Sequence, residues 1–417
     1  MSFACHPHVT GVGKDGRAIA PWYDGNFTFR HTMANLFPYI VKVVMFHIVF
    51  ALPWMVVVTR FLAPLPWLLS TKIGVGLMLL VVAQYHLVSR LSSGSVFSAE
   101  MPRYLVIAFN WGFSAILLLA LLQILLDVVT LLPLLAGARR LALAPNVRYG
   151  MALAAMLLAA IGVHQAIRVP PLKDVEVRIK NLPAAFEGYT VLQLTDLHIS
   201  RLFPAPWTRA VVDSANGLHA DVVVVTGDLI DGSVAERTAD VAALADLRAP
   251  DGVFVIPGNH EYFFNQGAWM RHFAGLGMQP LENRHTVIAR GGAQLVLAGV
   301  TDLSAGQVRY PMPDLAQALQ GAPRGAPVIL LDHQPRNART AAAQGVALQL
   351  SGHTHGGLIV GLDRIFALAN AGFVSGLYDV QGMQLYVNNG TALWGGLALR
   401  LGRPSELTRI TLRRAPG

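Results

Sequence analysis

The sequence predicts an α/β domain preceded by four membrane-spanning helices, on three observations. Hydrophobic residues make up 53% of the 417-residue chain and charged residues only 13%, a balance too apolar for an ordinary soluble protein. Before residue 168 the apolar residues gather into four stretches, each close to the ~20 residues that cross a bilayer as a helix. From VEVRIK onward the pattern becomes short apolar runs alternating with helical stretches, which is the mark of an α/β domain. Length alone also favours two parts.

The first 38 residues are polar and irregular, with no apolar core ahead of a small-residue cleavage site, so no cleavable signal peptide is expected. The spans are expected at Tyr39–Thr59, Pro66–Val88, Leu105–Leu135 and Tyr149–Ile167. Between them lie Arg60 with Pro64 and Pro66, then RLSSGS with Met101-Pro102-Arg103, then GARRLALAPNVR. The third is long enough to tilt, or to kink near Pro133. All four are apolar around their whole circumference, which a soluble bundle does not need. Among ionisable residues in the spans, Lys42, Lys72, His86 and His164 sit nearer helix ends and read as snorkelling groups. Asp127 and His47 lie deepest, and packing between helices is favoured over chemistry for both. Basic residues flank the two sides almost equally, so the membrane orientation stays open. The expected organisation is a polar segment 1–38, helices 39–168, a linker with the first strand at 169–180, and a domain over 174–417.

The composition also excludes some classes. The single cysteine, Cys5, rules out an internal disulfide framework. The net charge is +8, yet no long Lys/Arg block with interleaved aromatics is present, so nucleic acid is not an expected partner. The surplus fits membrane flanks and an anionic substrate.

In the second half, strands are expected at Thr190–Leu194, Val222–Val225, Val253–Ile256, Val328–Leu331 and Leu348–Leu350, with helical stretches at Thr208–Leu218 and Glu236–Leu247. Ligands of such a domain gather beyond the carboxyl ends of its strands. There stand Asp196 and His198, then Asp228, then Asn259 and His260, then His333, and finally His353 and His355. Carboxylate, imidazole and amide oxygen together suit Mn, Fe or Zn, whereas an all-oxygen set suits Mg or Ca. Seven candidate ligands, Asp196, His198, Asp228, Asn259, His333, His353 and His355, are too many for one tetrahedral ion and fit two ions that share a carboxylate. His353 and His355, two apart, can reach different ions while Thr354 points away.

The ordered set DLH, GD, GNHE, H and GHTH resembles the five-block signature of the calcineurin-like metallophosphoesterases, over Asp174 to Arg413. The late segment QGMQLYVNNGTALWGGLALRLGRPSELTRITL is similar to the close of that family's bacterial membrane-associated branch. The resemblance implies a four-layer αββα sandwich, two β-sheets face to face with helices outside. It implies two divalent transition-metal ions, Mn, Fe or Zn with Mn favoured. Asp196, His198 and His355 would hold the first, Asn259, His333 and His353 the second, and Asp228 would bridge them. His260 is the family's non-ligand histidine, expected to give a proton to the leaving oxygen.

The expected function is hydrolysis of a phosphoric ester or anhydride by a hydroxide held at the ions. The expected substrate is phosphorylated and lipid-linked or part of the envelope, and the expected location is the bacterial inner membrane. Glu261 is a candidate to orient His260 or a ligand, and a surface glutamate is an equal alternative. Arg201, Arg336 and Arg339 lie just past motif residues and are candidates for phosphate or head-group contacts, although each alone reads as a solvated arginine. The competing class is a non-catalytic, metal-dependent sensor or scaffold for phosphorylated ligands, which has no need of His260. A transporter, hinted at only by Asp127 and His47, is a third. Oligomeric state and the particular substrate are not legible.

Overall fold

The computed structural model of the chain describes residues 45–135 and 145–416. The expected polar segment 1–38, the start of the first span with Lys42, and most of the GARRLALAP break lie outside them. Among the described residues of the apolar half there are five helices: α1 (Met45–Leu62), α2 (Leu69–Ala83), α3 (Tyr85–Ser93), α4 (Arg103–Leu135) and α5 (Pro145–Ile167). Among the described residues, Met45–Leu62, Arg103–Pro133 and Pro145–Ile167 are long and apolar enough to cross a membrane. The expected second span, Pro66–Val88, is not one straight helix. It breaks at Gln84 into α2 and α3, bent by 53°. The cause is tertiary: α2 is apolar from Ile73 onward, whereas Tyr85, His86 and Ser89 of α3 turn into buried positions, and the Tyr85 hydroxyl donates to the Gly395 carbonyl at 3.0 Å.

Asp127 ties three helices together. It accepts from Arg60 Nε (2.9 Å) and Nη2 (3.1 Å) and from Gln123 Nε2 (3.1 Å), while Arg148 Nη1 donates to Gln123 Oε1 (3.0 Å) and to the Arg60 carbonyl (2.8 Å). A carboxylate so paired is compatible with membrane depth. The His47 carbonyl accepts from Gln84 Nε2 at 3.3 Å.

The second half holds two six-stranded sheets. The strands are β1 (Leu172–Ile179), β2 (Thr190–Leu194), β3 (Val222–Thr226), β4 (Val253–Ile256), β5 (Gln279–Pro280), β6 (Arg284–Arg290), β7 (Ala293–Gly299), β8 (Val328–Leu331), β9 (Leu348–Ser351), β10 (Gly376–Val380), β11 (Met383–Val387) and β12 (Leu407–Arg414). The first sheet runs β1-β12-β2-β3-β4-β5 and the second β10-β11-β9-β8-β7-β6. Strands β2 to β5 are parallel, as are β7, β8, β9 and β11. The helices are α6 (Ala205–Asn216), α7 (Val234–Val241), α8 (Asn259–Phe263), α9 (Gln266–Gly275), α10 (Leu315–Ala318), α11 (Ala338–Ala343) and α12 (Asp363–Ala369).

Three apolar layers separate four layers of structure. Val191, Val224 and Ile256 meet Leu297, Ile329 and Leu350 between the sheets. Leu192, Val223 and Val225 meet Val211, Val241 and Phe273 of α6, α7 and α9. Val296 and Leu330 meet Ala318, Ala338 and Ala341 of α10 and α11. Strand β3, VVVVT, is buried at every position because both its faces are covered. Helix α7 starts on a reciprocal cap between Ser233 and Glu236, and the expected stretch to Leu247 ends instead in a 3₁₀ turn, Ala242–Asp246.

The two halves interlock through the irregular segment Gly395–Leu401. Asn110 of α4 donates from Nδ2 to the Gly395 carbonyl (2.8 Å) and accepts from Ala398 N (2.6 Å). Arg400 N donates to the Gly162 carbonyl of α5 at 3.1 Å. Leu399 is buried among Val57, Phe61, Ala155 and Ala159 of the apolar helices. A Cβ at Gly162 would meet the Leu399 side chain, which would have to shift, so glycine suits this close approach. The buried Arg400 guanidinium donates to the carbonyls of His355, Asn389, Ala392 and Arg403. It joins the inserted segment to the loops described next.

Candidate metal centre

Strands β2, β3 and β4 of one sheet and β8 and β9 of the other deliver their carboxyl ends to one rim. The loops there brace each other: Asp196 N donates to the Gly227 carbonyl (2.9 Å), His198 N to Asp228 (3.1 Å) and Gly352 N to His333 (3.0 Å). Five of the seven candidate ligands hold left-handed backbone, with φ of 52° at Asp196, 42° at His198, 54° at Asp228, 69° at His353 and 49° at His355. Such conformations cost free energy in a non-glycine residue and concentrate at functional sites. Packing is correspondingly tight. A Cβ on Gly352 would collide with Thr195 Oγ1 and the Asp196 carboxylate, and one on Gly258 with the Asp228 carboxylate.

The seven side chains form two groups. In one, ligand atoms of Asp196, His198 and His355 lie within 4.8 Å of one another, and in the other those of Asp228, His333 and His353 do. Asn259 Oδ1 joins the second group, 3.2 Å from His333 Nε2 and 2.8 Å from His353 Nδ1. Asp228 Oδ2 stands between the groups, 3.8 Å from His198 Nε2 and 3.3 Å from His333 Nε2. His353 and His355 therefore face different groups, while Thr354 turns away and donates to the Val374 carbonyl at 2.7 Å.

The charge balance calls for cations. Among the described residues, the ion-pair partners of Asp196 and Asp228 are all imidazoles, and both carboxylates are buried. Burial disfavours ionised Asp228, yet the imidazoles of His333 and His260 hold it well below the usual carboxylate range. Burial likewise opposes a charged His333, and the Asp228 carboxylate overrides it, raising that imidazole well above its usual value. His353 is pushed down to about 3 by burial and by His333. The His333 Nδ1–H donates to the Thr226 carbonyl at 2.8 Å, leaving Nε2 as the nitrogen that faces Asp228. His198 Nε2 is buried without a hydrogen-bond partner and faces both Asp196 and Asp228. An orphaned imidazole nitrogen between two buried carboxylates fits a metal ligand.

Comparison with known proteins gives the same picture. Residues 189–357 match the family described as calcineurin-like phosphoesterase. An uncharacterized metallophosphoesterase of Helicobacter pylori is 30% identical over 277 residues, 66% of this chain and 72% of that protein. The chain belongs to the calcineurin-like metallophosphoesterase family. The family binds two divalent metal ions, and the two groups around Asp228 are candidates for them. The four-layer fold expected from the family resemblance is the fold observed. Two vertebrate relatives are each named transmembrane protein with metallophosphoesterase domain. That of Danio rerio is 33% identical over 62% of this chain and 61% of its own length, and that of Bos taurus 36% over 67% and 64%. The chain thus matches less than two thirds of either vertebrate protein.

Around these metallophosphoesterase motifs the structure gives the surroundings of several further residues. Asp231 was not among the residues singled out from the sequence. It is buried, and its Oδ1 lies 2.5 Å from His260 Nδ1 and 3.3 Å from His198 Nδ1. Burial would depress the His260 imidazole, but the Asp228 and Asp231 carboxylates push it up to about 9. Glu261 is fully buried, against the surface alternative, and of the two partners expected for it, His260 or a ligand, its contacts are with the loop of the candidate ligand Asp228. Its carboxylate accepts from Asp228 N (3.0 Å), Leu229 N (2.8 Å) and Gly258 N (2.7 Å), so it braces the Asp228 loop. Burial and the Asp228 charge raise it to about 7.

Arg201 is paired with Glu100 at 2.7 Å. Arg339 donates to the Ala371 carbonyl at 3.1 Å and lies over Phe373. The Arg201 side chain stays half exposed, in keeping with the solvated reading of these arginines. Arg336 lines a groove of about 550 Å³ with Leu303, Asn337 and Leu368.

The apolar half also reaches the centre. Phe97, between α3 and α4, meets the His260 ring edge-on at 5.3 Å, stacks on Phe263 at 4.6 Å and touches Trp394 at 5.6 Å. Ser98 Oγ donates to the Asp231 carbonyl at 3.1 Å. Since Asp231 orients both His198 and His260, Asp231→Ala is expected to weaken metal retention by the ~10- to 100-fold typical of losing a group that orients a histidine ligand. A metal titration of the purified variant measures it.

Proposed function

We propose that the chain is a membrane-anchored dinuclear metallophosphoesterase that cleaves a phosphoric ester or anhydride bond of a lipid-linked or envelope substrate. The observation that carries the reading is Asp228 Oδ2 standing between two ligand groups, with His260 Nε2 3.9 Å away. In this reading Asp196, His198 and His355 hold one ion, Asn259, His333 and His353 the other, and Asp228 both. Ions held there, with Mn favoured over Fe or Zn, would supply an activated water and a positive charge against that building on phosphorus. His260 gives its proton from Nε2 to the leaving oxygen while Asp231 holds the opposite nitrogen. Phe97, Phe263 and Trp394 give the leaving-group side an apolar wall, part of it from the membrane half, which supports an amphiphilic substrate.

The test uses the full chain in detergent, purified without chelator. Two ions per chain and Mn²⁺-dependent hydrolysis of a nitrophenyl phosphomonoester or diester are expected, followed by a panel of lipid phosphates. Trace metal alone would overturn the reading. Two ions without cleavage of any ester would favour a sensor or scaffold.

A further inference from the structure

We propose that the stretch Val360–Leu368, at the rim of the metal centre, is a second membrane-contact element seated in the head-group layer of the bilayer that the helices cross. This contact stands on the membrane helices alone, and only its consequence for substrate delivery rests on the function proposed above. Helix α12 is amphipathic in the inverted sense. Its inner side carries Asp363, ion-paired with Arg403, and is followed by buried Asn370. Its outer side carries Ile365 (65% exposed), Phe366 (39%) and Leu368 (85%), preceded by Val360 (59%). A helix facing water shows the opposite arrangement. Past residue 173, seven large apolar side chains are exposed among the described residues. Four fall in this stretch, and the others are the scattered Tyr310, Met312 and Leu377. A contiguous patch of that kind marks an interaction surface.

Continuity with the spans identifies the occupant as lipid. Ile359 pairs with Leu401 and Gly402, and Ile359 and Leu401 both pack on the cluster of Val57, Phe61, Ala155 and Ala159. A Cβ at Gly162 would lie 3.4 Å from the Leu401 side chain. Gly162 precedes the end of α5 at Ile167 by five residues, or about 7.5 Å of helix. The chain therefore enters Val360 from the level of the apolar helix surface. Arg364, on the exposed side, is placed as a snorkelling charge, and the expected depth is the ~5 to 10 Å of an interfacial helix. The groove that Leu368 and Ala369 share with Arg336 then opens at head-group height. A lipid phosphate can enter it without leaving the bilayer.

The experiment places an environment-sensitive fluorophore on Leu368→Cys, and separately on Ile365→Cys, in a Cys5→Ser background of the full chain. Both positions are exposed, so the fold is retained. In vesicles of phosphatidylcholine and phosphatidylglycerol, the emission is expected to shift to the blue and to lose intensity with lipids carrying a nitroxide near the head group. Water-like emission at both positions would overturn the proposal. So would a blue shift without nitroxide quenching, which would mean that a protein or a second copy covers the patch. Quenching at both positions in a chain that cleaves no ester would uphold the membrane contact and reject the phosphoesterase reading.

Discussion

Asp228→Ala is expected to empty both ion positions and abolish turnover, the largest effect of any single ligand change. Its Oδ2 lies between His198 Nε2 and His333 Nε2, at 3.8 and 3.3 Å, and its Oδ1 accepts from His260 N at 2.8 Å. The substitution removes the charge that offsets two cations and also loosens the loop carrying His260. The rate loss should exceed the ~10² to 10⁴ of removing a general acid alone. His353→Ala, by contrast, should cost mainly one ion. Metal content by mass spectrometry, beside hydrolysis rates, checks both. An Asp228→Ala chain with two ions and a normal rate would show that the bridge is assigned to the wrong residue.

His260→Ala is expected to keep both ions and to slow hydrolysis by roughly 10² to 10⁴ for an ester with a poor leaving group such as an alkyl alcohol. The defect should shrink for a nitrophenyl ester, because that oxygen departs without needing a proton. The geometry motivates the difference: Nδ1 is held by Asp231 at 2.5 Å, and Nε2 faces Asp228 at 3.9 Å. Rates of wild type and variant on two esters differing only in leaving-group pKa, with metal content checked, decide the matter. Equal defects on both would favour stabilisation of transition-state charge over proton donation. Loss of an ion would make His260 a ligand.

Much of the domain was legible because its signals are local. The expected Thr190–Leu194, Val253–Ile256 and Val328–Leu331 coincide with β2, β4 and β8, and β3 and β9 each run one residue further, to Thr226 and Ser351. The candidate ligands stood out as polar residues ending apolar runs. What escaped reading depends on distant partners. Asp231 acquires its place from His198 and His260, 33 and 29 residues away. The ion-pair partner of Arg201, Glu100, stands 101 residues earlier. The bend at Gln84 has no proline or glycine to announce it, since it arises where Tyr85 meets Gly395. Phe97 sits between membrane helices in the sequence and against His260 in space.

The insertion of Gly395–Leu401 between α4 and α5 bears on how the two halves move. A domain tied only through the Val169-Pro170-Pro171 connection would tumble above the membrane and meet its substrate at an effective concentration set by the tether. Leu399 in the helix cluster and Arg400 across four carbonyls remove that rotation. The rim keeps one height and one tilt relative to the helices, so for the lipid-linked substrate proposed above encounter would be a two-dimensional search past a stationary site.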